Sequence, residues 1–227
     1  MPCFFNIKRL SKLYTLLSIC LLLHACDSSN SSDSAKPPPP SDPPQKEIDI
    51  KKGEFKAKDR IYPTLQINNL DWLGTNLDLP ISESWCYNSQ STCEEQGRLY
   101  RWPGAKEACE KLGEGWRLPT EEEWQQLANT FGGYMDWLSE ETFGDPVAAN
   151  EALAVGGKSG FDALLSGWRG SNGGFDSAEK MGFYWTASEA NEDEAWFYII
   201  LPSGSKLTRR STNKRMGMAC RCVRNIN

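Results

Sequence analysis

The sequence predicts an irregular α+β domain, on three observations. It has two short amphipathic helical stripes, several short strand-like runs punctuated by Gly, Asn, Ser and Asp turns, and no internal repeat. Ile61-Tyr62 and Thr64–Ile67 predict an opening hairpin turned at Asn68-Asn69, followed by Trp72-Leu73. Ala105, Ala108, Cys109 and Leu112 recur at helical spacing, so a short helix starts after Pro103. Thr120 with Glu123 makes a capping box, and Pro119 disfavours any earlier helical start. Trp124, Leu127, Ala128 and Phe131 form the buried stripe of this second helix, which Gly132-Gly133 stops. Residues 134–180 hold eight glycines and little periodicity, predicting a long looped region. Strands are predicted over Gly182–Ser188, Ala195–Pro202 and Met216–Arg224.

The N-terminus carries a different message. Lys8, Arg9 and Lys12 precede an apolar run of 11 residues, Leu13–Leu23, too short to span a bilayer. Leu23-His24-Ala25-Cys26 resembles a bacterial lipobox, which implies cleavage after residue 25 and a lipid on the Cys26 thiol. Residues 26–58, Ser-rich and then Pro-rich, predict a disordered tether, and the domain is placed at 59–227. The expected setting is a bacterial cell envelope, with the protein held to a membrane by its lipid.

Loss of Lys8, Arg9 and Lys12 takes the formal charge from −5 to −8, which excludes nucleic acid as an expected partner. The run Lys206–Arg215 is read as a solvated sheet edge. The only histidine, His24, leaves with the leader. Ser-His-Asp and Cys-His catalysis and His-ligated zinc are thereby excluded, and no cofactor, metal or catalytic residue is expected. With Cys26 lipidated, five cysteines remain, so at most two bridges form and one thiol is left over.

The order of features over residues 59–225 resembles the Fibrobacter succinogenes major paralogous domain. The residues that carry it are Asp59, Tyr62, Ile67 and Trp72, then Ser84-Trp85-Cys86-Tyr87, Cys93, and Gly97–Tyr100. They continue through Cys109, Gly115–Pro119, Glu123-Trp124, Gly160-Phe161, Arg169, Trp185–Glu189 and Arg221–Arg224. The resemblance implies a fold related to formylglycine-generating (sulfatase-modifying-factor-like) enzymes and C-type-lectin-like domains, and supplies no reaction. It implies that Cys109 pairs with Cys222, while Cys86 and Cys93 close a local loop. Cys220 is then a buried, inert thiol on the same strand face as Cys222. The cysteine pair spaced four apart that formylglycine-generating enzymes use is missing.

Among nine tryptophans, Trp116, Trp124, Trp185 and Trp196 are expected in the core. Trp137, Trp168 and the adjacent Arg169 are the candidates for ligand contact, because an aromatic beside a guanidinium suits a planar or sugar face. Asn191 and Asp193 lie in an acidic turn that offers oxygen ligands, read first as a solvated turn. The functional expectation is a recognition module for a glycan or an envelope protein, its ligand meeting residues 134–180 or 190–195. A formylglycine-generating-type oxidoreductase acting on a peptide cysteine, or a purely structural envelope protein, are the alternatives.

Overall fold

Residues 48–58 and 60–226 are described by the computed structural model, so the leader, Cys26 and most of the tether lie outside the described residues. In chain order the first elements are β1 (Lys51–Ala57), β2 (Arg60–Ile67), β3 (Leu70–Leu73), β4 (Ser84–Trp85), α1 (Gln90–Gln96), β5 (Leu99–Tyr100), α2 (Trp102–Glu110) and α3 (Glu121–Phe131). They continue with β6 (Gly133–Asp136), β7 (Thr142–Gly144), α4 (Pro146–Leu153), β8 (Ser166–Arg169) and β9 (Phe175–Ala178). The last four are β10 (Gly182–Glu189), β11 (Glu194–Ile200), β12 (Thr208–Asn213) and β13 (Val223–Asn225). The fold is α+β.

The predicted hairpin forms as β2 and β3, but the folded part starts earlier than residue 59. β1 lies inside the expected tether and pairs along its whole length with β2, Phe55 opposite Tyr62. Phe55 is buried and its ring meets Trp116 at 5.1 Å, which draws this otherwise charged segment onto the domain. The same sheet has the order β1-β2-β3-β13, so the closing strand lies beside the opening hairpin. Val223 exchanges backbone hydrogen bonds with Arg117, tying the Gly115–Pro119 segment to that strand as well.

A second sheet runs β7-β6-β12-β11-β10-β8-β9. Strand alternation sends Tyr184 and Tyr198 to one core cluster and Phe183, Trp185 and Phe197 to another, so the sheet's centre is buried on both faces. On the first side Trp124 of α3 stacks on Tyr198 at 5.1 Å and meets Trp72 edge-on at 5.4 Å, coupling the two sheets. Such pairs contribute about 0.5–1.5 kcal/mol each beyond their burial.

Three expectations are corrected here. Residues 134–180 are not one long loop: they contain β6, β7, α4, β8 and β9. These elements are three to eight residues long, too short for periodicity to register. The Lys206–Arg215 run is not a solvated edge, since β12 lies between β11 and β6. Its Arg209 is tolerated inside because it ion-pairs with both Glu121 and Asp136 and lies over Trp196, 4.5 Å from its ring centre. Of Met216–Arg224 only β13 is a strand. Residues 217–219 instead bridge singly to Arg169, Tyr100 and Tyr184, as the chain threads between sheets.

Candidate functional site

The residues best arranged for contact converge where β4, β8 and β9 meet. Trp85 ends the two-residue β4, held against Leu99 of β5. Arg98 steadies the same strand, donating from Nε to Ser84 Oγ at 2.9 Å and toward the Cys86 and Cys93 sulfurs at 3.4 Å. The Cys86–Cys93 disulfide follows at once and ties this strand to the middle of α1. Between the two cysteines Tyr87 is fixed through its carbonyl, which accepts from Thr92 Oγ1 at 2.6 Å.

Opposite, Arg169 ends β8 and pairs with Phe175 of β9, so both project to one face while Trp168 and Asp176 project to the other. The Arg169 guanidinium lies over Trp85, 3.9 Å from its ring centre, and 5.8 Å from that of Phe175. Phe175 and Tyr87 are neighbours at 5.2 Å, and Arg101 approaches Trp85 at 5.6 Å. Cation–π contacts of this kind contribute about 0.5–2 kcal/mol.

The platform is rigid by construction. The Arg169 backbone exchanges two hydrogen bonds with Gly217, at 2.8 and 2.7 Å. Gly173, at φ +93°, closes the β8–β9 turn, and a Cβ there would sit 3.1 Å from the guanidinium. Among the described residues no carboxylate pairs with Arg169, and its Nε has no acceptor.

The structure thus keeps Arg169 as a candidate and separates it from Trp168, which is half-buried against the second core cluster. Trp85, Tyr87 and Phe175 were not anticipated; the placing of Trp85 and Tyr87 on either side of Cys86 is the sequence signal that points to them. Trp137 is 52 % exposed at the end of β6, with Arg210 over its ring at 5.4 Å and Leu138 exposed beside it. Four strand spacings separate β6 from β8, about 19 Å, so Trp137 belongs to a different surface. Trp196 is half-buried beneath Arg209 rather than in the core.

Asn191 and Asp193 lie in the exposed β10–β11 turn. Asn191 Oδ1 accepts from the amides of Asp193 and Glu194, and the Lys214 ammonium donates to the carbonyls of Asn191 and Glu192. A cation is therefore already supplied by the chain where oxygen ligands would converge.

Two disulfides close, Cys86–Cys93 and Cys109–Cys222, leaving Cys220 as a buried free thiol. The sulfurs of Cys109, Cys220 and Cys222 all lie within 4.8 Å of one another. Burial pushes the Cys220 thiol far above its ordinary range, only partly opposed by Arg221. Open depressions of about 630 and 560 Å³ flank the β1–β2 hairpin, lined respectively by Lys52 and Lys158 and by Lys56, Arg60 and Lys111. Neither reaches the aromatic platform.

No curated protein and no solved structure matches the chain. Residues 65–224 match the family described as the Fibrobacter succinogenes major domain, well over half the chain. That range takes in Trp85, the four bridged cysteines and Arg169. The chain belongs to the Fibrobacter succinogenes major domain family.

Proposed function

We propose that this protein is an exported, lipid-anchored recognition module of the cell envelope, acting through the Trp85–Arg169 platform and catalysing no reaction. The observation that carries the reading is Arg169 stacked on Trp85 without an ion-pair partner among the described residues, beside the ring faces of Tyr87 and Phe175. A guanidinium held in one plane next to aromatic rings is built for contact, since fixing it in advance lowers the entropy lost on binding. The leader, the lipobox-like Leu23–Cys26 and the Ser/Pro-rich tether support presentation away from a membrane. We read the architecture as C-type-lectin-like, on the bridge between its first long helix and the residue that leads into its last strand.

The three-sulfur cluster is the one observation that favours a copper- or thiol-based oxidase. Against it, all three sulfurs are fully buried, two of them form a disulfide, and the third is held protonated. Copper(I) titration of the full chain, with and without Cys220→Ala, separates the two: a Cys220-dependent absorption band would restore the oxidase. Recognition itself is tested with the detergent-solubilised full chain against a glycan panel and isolated envelope fractions. Retention that falls in a Tyr87→Ala/Phe175→Ala variant of unchanged Tm is expected; no retention on any surface overturns the reading. Anchoring is tested by mass spectrometry of the mature N-terminus, where a diacylglyceryl group on Cys26 is expected.

A further inference from the structure

The geometry points to a carboxylate-bearing pyranose, a uronic acid residue of a polysaccharide, as the ligand of the Trp85–Arg169 platform. This rests on the recognition reading above and names its ligand class. Arg98 and Arg101 are engaged, the first on Ser84 and the Cys86 and Cys93 sulfurs, the second on Glu83. Arg169 alone of the three has no protein acceptor among the described residues. Its plane is set by the indole beneath it, and its backbone by Gly217. Its Nε is buried, which leaves the two terminal nitrogens, and a planar guanidinium fixed in this way offers them as a pair of parallel N–H donors, the geometry that matches a carboxylate.

Charge density selects among anions. The mature chain is formally −8, so a ligand with closely spaced charges is repelled by the protein as a whole. One available guanidinium suits one carboxylate per sugar. The half-buried rings of Tyr87 and Phe175, 5.2 Å apart, supply apolar faces for the C–H side of a pyranose next to that charge.

A peptide fits less well. It would have to extend the sheet along β9, the edge strand beside β8. That edge is four residues long, carries the exposed carboxylate of Asp176, and is kinked at Ser177, whose φ is +64°. A short, charged and kinked edge is what blocks strand addition.

The test is calorimetric binding of a xylo-oligosaccharide bearing a single glucuronic acid residue to the detergent-solubilised full chain, with its methyl ester and the unsubstituted neutral xylo-oligosaccharide as controls. The acid is expected to bind, and methyl esterification, which keeps the sugar and removes the charge, to weaken binding by about tenfold or more. Arg169→Gln should weaken the acid to the level of the ester and leave the ester unchanged; Arg169→Lys should not restore the acid fully. Because the ester comparison uses the unaltered protein, it stands even if the variants fail to fold. Equal affinity for acid and ester overturns the uronate assignment and leaves recognition intact. Failure of all three sugars also overturns it, while retention on envelope fractions, measured separately, decides the recognition reading.

Discussion

Arg221 shows how much one side chain does in this fold. It is fully buried, and no carboxylate pairs with it among the described residues. Instead its Nε donates to Asn76 Oδ1 at 2.8 Å, and its terminal nitrogens donate to the carbonyls of Leu73, Phe161 and Asp162. One residue therefore satisfies acceptors on the β3 end, on the loop before β8 and on the chain before α1. Burial lowers its affinity for the proton, and Tyr184, Asp162 and Cys220 oppose this only in part. Arg221→Leu strands these acceptors without donors, so we expect a loss of at least about 3 kcal/mol in denaturant unfolding. Arg221→Lys should recover only part, because an ammonium cannot fan out to four acceptors. Its neighbour Cys220 is expected to be silent: burial holds the thiol protonated, so a maleimide should label it only after denaturation. Rapid labelling of the native protein would contradict the burial.

At the scale of elements, the start of α3 is the feature most legible in the sequence. Thr120 Oγ1 accepts from the Glu123 amide at 3.2 Å, and Glu123 Oε2 accepts from the Thr120 amide at 2.8 Å, as the Thr-x-x-Glu spacing predicts. What the spacing did not reveal is that Arg117 grips the same carboxylate with two bonds, at 2.7 and 2.6 Å. Burial alone would raise the Glu123 pKa, but Arg117 and the Thr120 amide outweigh it and the net shift is downward. Stability from this carboxylate is therefore present above its ordinary value of 4.5 and lost as pH falls through the lowered folded value. Urea midpoints of the protein and of Glu123→Gln should differ at pH 7 and converge in acid below that range. A gap that persists unchanged would place the effect in packing.

The hairpin of β2 and β3 and strands β10 and β11 were equally readable, because alternation and turn residues agree there. The platform was not. Its residues come from β4 and the loop after it, and from β8 and β9, strands of two to four residues separated from β4 by about 80 positions, and their meeting is decided by sheet order rather than local pattern. Adjacency in sequence misleads as well: Trp168 and Arg169 are neighbours in the chain and face opposite ways. β12 was obscured for a different reason, since charged residues on an interior strand read as surface until Glu121 and Asp136 are seen to neutralise Arg209.

For the whole molecule, the long bridge is the element that holds first and last segments together. Cys109 lies on the buried face of α2, and its bond to Cys222 spans 113 residues. In the chain-entropy model a loop of that length stabilises the fold by about 4.7 kcal/mol, against about 2.5 kcal/mol for the short Cys86–Cys93 loop. The two bridges should therefore separate function from stability. Cys86→Ser/Cys93→Ser should lower Tm modestly and loosen the platform that Trp85 and Tyr87 share, so ligand retention falls first. Removing the long bridge should act the other way, but the partner chosen for mutation matters. Cys220 lies within 4.8 Å of both bridged sulfurs, so in a Cys222→Ala variant folded under oxidising conditions Cys109 retains a thiol within reach. We expect that variant to close a Cys109–Cys220 bond, visible by non-reducing peptide mapping, and to keep most of its Tm. Cys109→Ser leaves Cys220 and Cys222 only each other, two residues apart, and should lose the full stabilisation of the long loop. If Cys222→Ala and Cys109→Ser melted at the same temperature, Cys220 would be no substitute and its position beside the bridge would reflect packing alone.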